Sequence, residues 1–208
     1  MSDVITTVDL IRHGEPVGGR KYRGQLDDPL SDKGWRQMRR AVAGDVPWDL
    51  VLSSPLRRCL EFARELSQRR ALALEIEERF KEVGFGAWEG RTAEQVAAHD
   101  PDVLRRFWRD PMSERPPGAE PLPAFRGRVV SAWNDMLRRH AGRHVLIVGH
   151  AGVIRMVLSH VLGMPPAHLF RIQVQNAGIT RIEVQGEGEA ALPRLMFHGG
   201  MSRGKGKE

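Results

Sequence analysis

The run His144–Val148, HVLIV, passing straight into Gly149-His150, constrains the fold more than any other stretch of the chain. It is short and almost without polar interruption. A strand with one wet face alternates apolar and polar side chains, so an unbroken apolar run marks a strand covered on both faces. The following segment, AGVIRMVLSHVLG, reads as a helix leaving that strand directly. A buried strand feeding a helix is the unit of a sheet sandwiched between helical layers.

The rest of the chain repeats this alternation. Further strands are predicted at Thr6–Ile11, Leu50–Ser53, Ala73–Ile76, Arg171–Val174 and Ile179–Val184. A helix is predicted from an N-cap at Ser31 to near Gly44. In SPLRRCLEFARELSQRR, Pro55 suits a first helical position, and Leu56, Cys59, Leu60, Ala63 and Leu66 follow the spacing of one helix face. Phe125, Val129, Trp133, Met136 and Leu137 form another such stripe. The pattern predicts a three-layer α/β/α fold with a mostly parallel central sheet. Between Lys81 and Pro123 it weakens, which predicts a mixed insertion covering the sheet edge. A single domain is expected over 1–198, with that insertion at 81–123 and a frayed Gly- and Lys-rich tail at 199–208.

The 208 residues suffice to bury a core without disulfides or metals. The formal net charge is +6, and Arg greatly outnumbers Lys. Guanidinium groups match phosphate geometry in a bidentate way. Basic charge alone fits nucleic acid, an anionic membrane or a small phosphorylated substrate. Nucleic acid is disfavoured, because Arg is spread over helix faces and the chain has one Tyr and seven Phe. No apolar run approaches the roughly 20 residues of a membrane span. The N-terminus has neither a basic region nor a long apolar region of a signal peptide. The one cysteine, Cys59, excludes an intramolecular disulfide and a thiolate zinc cluster, so a cytoplasmic protein is expected.

Three predicted strands empty into chemically loaded turns. These are Arg12-His13-Gly14-Glu15, Ser54-Pro55-Leu56-Arg57-Arg58 and Gly149-His150-Ala151-Gly152. Ligands of open α/β sheets bind outside the carboxyl ends of the strands. Neighbouring parallel strands would therefore bring two histidines and two or three arginines into one crevice. Arginines can neutralise a phosphoryl group, and a neutral imidazole can attack phosphorus. A second, cationic histidine would add a donor to the phosphoryl oxygens. Gly14 and Gly152 would let the backbone approach the ligand. A metal is disfavoured because the companions of the histidines are cations, so neither metal nor cofactor is expected. A leaving alkoxide needs an acid, with Glu15, Glu82 and Glu89 as candidates. Glu82 follows the third strand, and the apolar Phe85 and Trp88 nearby suit a general acid.

Taken in order, LIRHGE, LSSPLRRC, FKEVGFGAWEG and LIVGHAGVIR resemble the histidine phosphatase superfamily, also called phosphoglycerate mutase-like, over roughly Asp9 to Val184. The resemblance implies that fold and a phosphohistidine mechanism. It implies His13 as nucleophile, Arg12 and Arg58 as phosphate clamps, His150 as the second pocket histidine and Glu82 as proton donor. Arg57 falls on a variable position, and Glu15 would order the loop. The family commonly has Ser or Thr after Arg-His-Gly-Glu and Asn three positions on, where this chain has Pro16 and Gly19. Arg20, Lys21 or Arg23 would replace the missing contact, with Arg20 and Arg23 as substrate-binding candidates. FGAWEG and the stretch VLGMPPAHLFRIQVQNAGITRIEV resemble alpha-ribazole phosphatases. This implies a phosphomonoesterase acting on a small phosphorylated metabolite, such as alpha-ribazole 5'-phosphate, as a monomer or homodimer. The alternatives are mutase-type phosphoryl transfer and a non-catalytic module that binds a phosphorylated ligand.

Overall fold

β4 (His144–Gly149) lies inside a six-stranded sheet, as its unbroken apolar run requires. The computed structural model describes residues 4–44, 47–188 and 191–200. The other strands are β1 (Ile5–Arg12), β2 (Leu50–Ser53), β3 (Ala73–Ile76), β5 (Ile179–Gln185) and β6 (Leu192–Gly200), in the order β3-β2-β4-β1-β5-β6. β3, β2, β4 and β1 are mutually parallel, β5 runs antiparallel to β1, and β6 antiparallel to β5.

Side chains alternate across the sheet, and each face has its own core. Val8, Leu10, Leu50, Leu52, Val145 and Ile147 pack beneath α5 (Leu122–Arg139) and α6 (Ala151–Val161). Ile11, Val51, Leu146 and Val148 pack beneath α1 (Asp32–Ala41) and α2 (Arg57–Arg70). The expected α/β/α layering is therefore present. α1 starts where predicted, with Ser31 Oγ accepting the Gly34 N–H at 3.1 Å. The predicted stripe of α5 is buried at Phe125, Val129, Trp133 and Met136.

Four local expectations need correction. Pro55 precedes α2 by two residues instead of opening it. Ser54 is still tied to β4 through Val148 O, and the first helical N–H, at Arg57, is capped by Asp27 Oδ1 at 2.7 Å. The predicted strand Arg171–Val174 is not one. A 3₁₀ turn covers Pro166–Arg171, and the carbonyls of Ile172, Gln173 and Val174 accept side-chain donors from Arg155, His198 and Arg12. With its acceptors taken, the segment joins no ladder. β6 was not predicted, because an edge strand reading LPRLMFHGG carries Pro and Gly, which weaken any strand signal. It includes Gly199 and Gly200, which were expected in the tail, while 201–208 lie outside the described residues. Between Lys81 and Pro123 are a 3₁₀ turn (Gly86–Trp88), α3 (Ala93–Ala97) and α4 (Val103–Arg109). Buried Val83, Phe85, Val96, Leu104 and Phe107 from this stretch join the core beneath α5 and α6.

Candidate active site

The strand order places the three loaded turns side by side. β4 is flanked by β1 and β2, with Arg12 opposite Gly149 and Ser53 opposite Val148. Backbone bonds continue past the strands, from His13 N to Gly149 O at 2.9 Å and from Ser54 N to Val148 O at 3.0 Å. His13 and His150 are therefore neighbours, with ring centroids 5.3 Å apart and planes at 64°. His13 is 6% exposed and His150 fully buried.

The tautomer of His13 follows from its partner. Nδ1 lies 2.7 Å from Gly14 O, which can only accept, so Nδ1 carries the proton and Nε2 keeps its lone pair. Burial, Arg58 and Arg12 push the His13 pKa well below 6.5, so the ring is neutral. His150 is driven the same way by burial, Arg58 and His13. Of the two states the sequence left open for the second histidine, the structure favours the neutral imidazole. Ser54 Oγ holds it at 2.7 Å from Nε2, and Cys59 Sγ packs 3.6 Å from the same nitrogen.

The positive charge comes from arginine. Arg58 is 1% exposed, and its terminal nitrogens donate to Leu26 O at 2.6 Å and Gly24 O at 2.8 Å. Arg12 donates from NH1 to Val174 O at 2.7 Å. The Nε atoms of both are buried without a protein partner. Buried orphan donors are costly, so two guanidinium edges are left for an acceptor the protein does not supply. Burial lowers the Arg12 pKa to about 10, opposed by the nearby Glu82, and the group stays charged at neutral pH.

Glu82 reaches the same place from the segment after β3. Its Oε1 accepts the Val83 N–H at 2.9 Å, and its Oε2 accepts the Gly152 N–H of α6 at 3.1 Å. The other two acid candidates are engaged in loop building. Glu15 pairs with Lys33 at 2.8 Å, and Glu89 accepts the Phe85 and Gln25 N–H groups. Phe85 lines a small cavity beside Glu82, whereas Trp88 turns to Tyr22 and Phe107. The two glycines approach protein, not ligand. A β-carbon at Gly14 would run into the Gly34 backbone of α1, and one at Gly152 into Glu82 Oε1.

The substitutes at the altered loop behave differently from one another. Arg23 donates from Nε to Asp28 at 3.0 Å and from NH2 to Val17 O and Gly19 O, and its charge is felt at His13, Arg12 and Arg58. Arg20 is exposed, with its charge reaching Arg12. Lys21 is turned to Asp28 at 2.9 Å. Among the described residues no group of three or more His, Cys, Asp and Glu is placed to hold a metal ion. No helix of the described residues is long and apolar enough to cross a membrane.

Residues 8–194 match the family model of the histidine phosphatase superfamily (branch 1). The chain belongs to the histidine phosphatase superfamily. It is 30% identical to the putative phosphoserine phosphatase 2 of Hydrogenobacter thermophilus over 182 residues, 86% of this chain and 89% of that one. It is also 30% identical to the adenosylcobalamin/alpha-ribazole phosphatase of Salmonella typhimurium over 191 residues, 89% of this chain and 94% of that one. The solved mycobacterial glucosyl-3-phosphoglycerate phosphatase Rv2419c superposes with a TM-score of 0.84 at 26% identity, covering 94% of this chain and 99% of that one. Against three mycobacterial relatives, 31% identical over 194 residues, this histidine phosphatase chain spans about half their length, 52%.

Several neighbours of the site were not singled out in the sequence. Ser54 lies inside LSSPLRRC but its type is unremarkable there. Asn176 donates to His13 O at 3.1 Å from a turn 163 residues away, which no local pattern signals. Arg155 stands one helical turn beyond Gly152, in the block that carries His150. Helical spacing from Gly152 was the one available pointer to it.

Proposed function

We propose that this chain is a phosphomonoesterase that works through a phosphohistidine at His13 on a small phosphorylated metabolite. The single observation that carries the reading is the state of His13. It is a neutral ring with Nδ1–H bound to Gly14 O and a free Nε2 lone pair, beside two arginines with unpartnered Nε–H groups.

In this reading the phosphoryl group of the ester lies against Arg12, Arg58 and His150. His13 Nε2 attacks phosphorus, the N–P bond forms and the ester P–O bond breaks. The leaving alkoxide takes a proton from the Glu82 carboxyl group. Water then attacks the phosphohistidine and gives a proton to the Glu82 carboxylate. The N–P bond breaks, inorganic phosphate departs and His13 is regenerated. Positive charge from the arginines offsets what builds on the phosphoryl oxygens, the main requirement of phosphoryl transfer. Arg23, whose NH1 has no partner among the described residues, is the better candidate of the two loop arginines for a further substrate contact.

The relatives are named for different substrates, phosphoserine, alpha-ribazole phosphate and glucosyl-3-phosphoglycerate among them. The proposal is therefore made for the phosphomonoester class, with alpha-ribazole 5'-phosphate as the member that the resemblance favours. The test is phosphate release over a panel of phosphomonoesters, with acid-quenched samples assayed for acid-labile, base-stable protein phosphate. His13→Ala is expected to abolish both signals. Wild-type turnover in that variant would refute the mechanism.

A further inference from the structure

Arg155 is a half-buried cation with no ion-pair partner among the described residues. Arg128, Arg139 and Arg181 each sit on a carboxylate, Glu120, Glu75 and Asp9 in turn. Arg155 donates from Nε to Ile172 O at 2.8 Å, and among the described residues no carboxylate lies within ion-pair distance of it. Among the described residues its terminal nitrogens have no hydrogen-bond partner, yet they are not sealed off like the Nε atoms of Arg12 and Arg58. Burial lowers its pKa, and Glu82 across the way opposes that. Holding an unpaired guanidinium in such a place costs stability unless something occupies it.

Its position is set by the segment that sequence reading mistook for a strand. Ile172 is extended, with φ −92° and ψ 119°. Ile172 O holds Arg155 and Val174 O holds Arg12. The two carbonyls lie two residues apart on one short segment. One segment therefore carries two guanidinium groups as a matched pair. Arg12 stands in the phosphate pocket. Arg155 stands beside Glu82, stacked on Phe170 at 5.3 Å and sharing with Glu82, Phe85 and Leu169 the wall of one small cavity. The charge of Arg155 is felt at Arg12, and that of Glu82 at Arg155. Since Glu82 faces the leaving oxygen in the proposed mechanism, Arg155 faces the leaving alcohol.

We propose that Arg155 is an anion subsite that selects phosphomonoesters whose alcohol carries a carboxylate a few atoms from the ester oxygen. The inference rests on the phosphatase reading and adds the substrate class to it. A carboxylate fits better than a second phosphate. The planar fork of one guanidinium matches two carboxylate oxygens, and apart from the Glu82 carboxyl group the rest of the wall is apolar, with no second cation to share a dianion. An alcohol without an anionic group, as in alpha-ribazole 5'-phosphate, leaves the subsite unused, so within the phosphomonoester class the subsite points away from the ester that the resemblance favours.

The rival account makes Arg155 a structural tie between α6 and Ile172. A matched pair of esters separates the two. Glycerol 3-phosphate and 3-phosphoglycerate differ in one terminal group, CH₂OH against carboxylate. Steady-state rates are measured on both, and on alpha-ribazole 5'-phosphate and p-nitrophenyl phosphate, for the wild type, Arg155→Met and Arg155→Lys. The wild type is expected to favour 3-phosphoglycerate about 10–100-fold in kcat/KM, the worth of a hydrogen-bonded charge pair, mostly through KM. Arg155→Met should bring that ratio close to one, and Arg155→Lys should keep part of it. Equal loss on both esters in Arg155→Met, with a lowered melting temperature, would assign the structural role and overturn the subsite. A wild type active on p-nitrophenyl phosphate but indifferent to the carboxylate, or preferring alpha-ribazole 5'-phosphate, would overturn the subsite alone. A wild type inert on every ester and forming no phosphohistidine would overturn the phosphatase reading itself.

Discussion

Glu82 rests directly on Gly152. The Gly152 N–H donates to Glu82 Oε2 at 3.1 Å, and there is no room for a side chain between the two residues. A β-carbon at position 152 would overlap Oε1, so Gly152→Ala has to displace the carboxylate. Position 152 is in the first turn of α6, where Ala is the better helix former. The variant is therefore expected to fold with near-normal thermal stability and to lose turnover on alkyl phosphates at least tenfold. Activity assays paired with thermal melts check this. Retained turnover would mean that Glu82 does not need its present position.

The part assigned to Glu82 has its own signature. An alkyl phosphate leaves as a basic alkoxide and needs a proton in the transition state, a contribution of roughly 10²–10⁴-fold from a general acid. A p-nitrophenolate leaves without that help. Glu82→Gln keeps the size and an acceptor but cannot give a proton. It should reduce kcat on an alkyl phosphate by about two orders of magnitude more than on p-nitrophenyl phosphate. Parallel losses on both esters would point to a positioning role.

How much of this site could be read in advance varied with the kind of residue. Arg12, His13 and His150 could be placed together in advance because each stands at or just past the end of a strand, whereas Arg58 lies in the first turn of α2 and only the family resemblance separated it from Arg57. Parallel neighbours then bring their ends together by topology alone. Glu82 was one of three acid candidates, marked by its place after the third strand and chosen among them by the resemblance. What stayed hidden depends on contacts between residues distant in sequence. The role of Gly152 appears only once Glu82 packs on it. The segment Ile172–Val174 has a strand-like composition, and its carbonyls go to Arg155 and Arg12 instead of a neighbouring strand. β6 was hidden because Pro193 and the terminal glycines blur an edge strand that β5 pairs with.

The two pocket histidines make a prediction about pH. Burial and the adjacent arginines lower both pKa values well below 6.5, so both rings stay neutral as the solution is acidified through that value. His13 keeps its nucleophilic lone pair there. The profile of log kcat/KM, corrected for ionisation of the substrate, should show no acid limb near pH 6.5. Stability takes the opposite course. The unfolded chain binds protons at these histidines below about pH 6.5 while the folded chain does not, so stability declines from there downward. An acid limb at pH 6.5 in the corrected profile would contradict the neutral-histidine assignment.

Cys59 touches His150 but is out of reach of reagents. It is fully buried, and burial pushes its thiol up to about 12, so almost no thiolate exists at neutral pH. Thiolate is the reactive form. Native protein treated with iodoacetamide at pH 7.5 should keep the proposed phosphatase activity, and a mass shift at Cys59 should appear only after denaturation. Rapid inactivation of the native protein would show that this wall of the pocket opens.

Asp9 makes the sheet itself pH-sensitive at the acid end. It is fully buried in β1 and accepts from Trp48 Nε1 at 2.7 Å, His144 Nε2 at 3.0 Å and two nitrogens of Arg181 at 2.8 Å. These donors come from β4, β5 and the residues just before β2, so one carboxylate ties three strands together. Burial raises its pKa, but the donors, Arg181 first, outweigh that and bring it down from 3.8 to about 2. The folded value is depressed, so the stabilisation is fully present above pH 3.8. It is lost as the pH falls toward 2. The shift corresponds to about 2 kcal/mol. Asp9→Asn removes the charge while leaving Arg181 in place, and breaking such a buried pair costs about 3–5 kcal/mol. Urea unfolding at pH 7 should therefore show the variant destabilised by several kcal/mol, with a midpoint that depends less on pH between 4 and 2 than the wild-type midpoint does. A variant as stable as the wild type at pH 7, with the same acid dependence, would mean that the Asp9 network does not hold β1, β4 and β5 together.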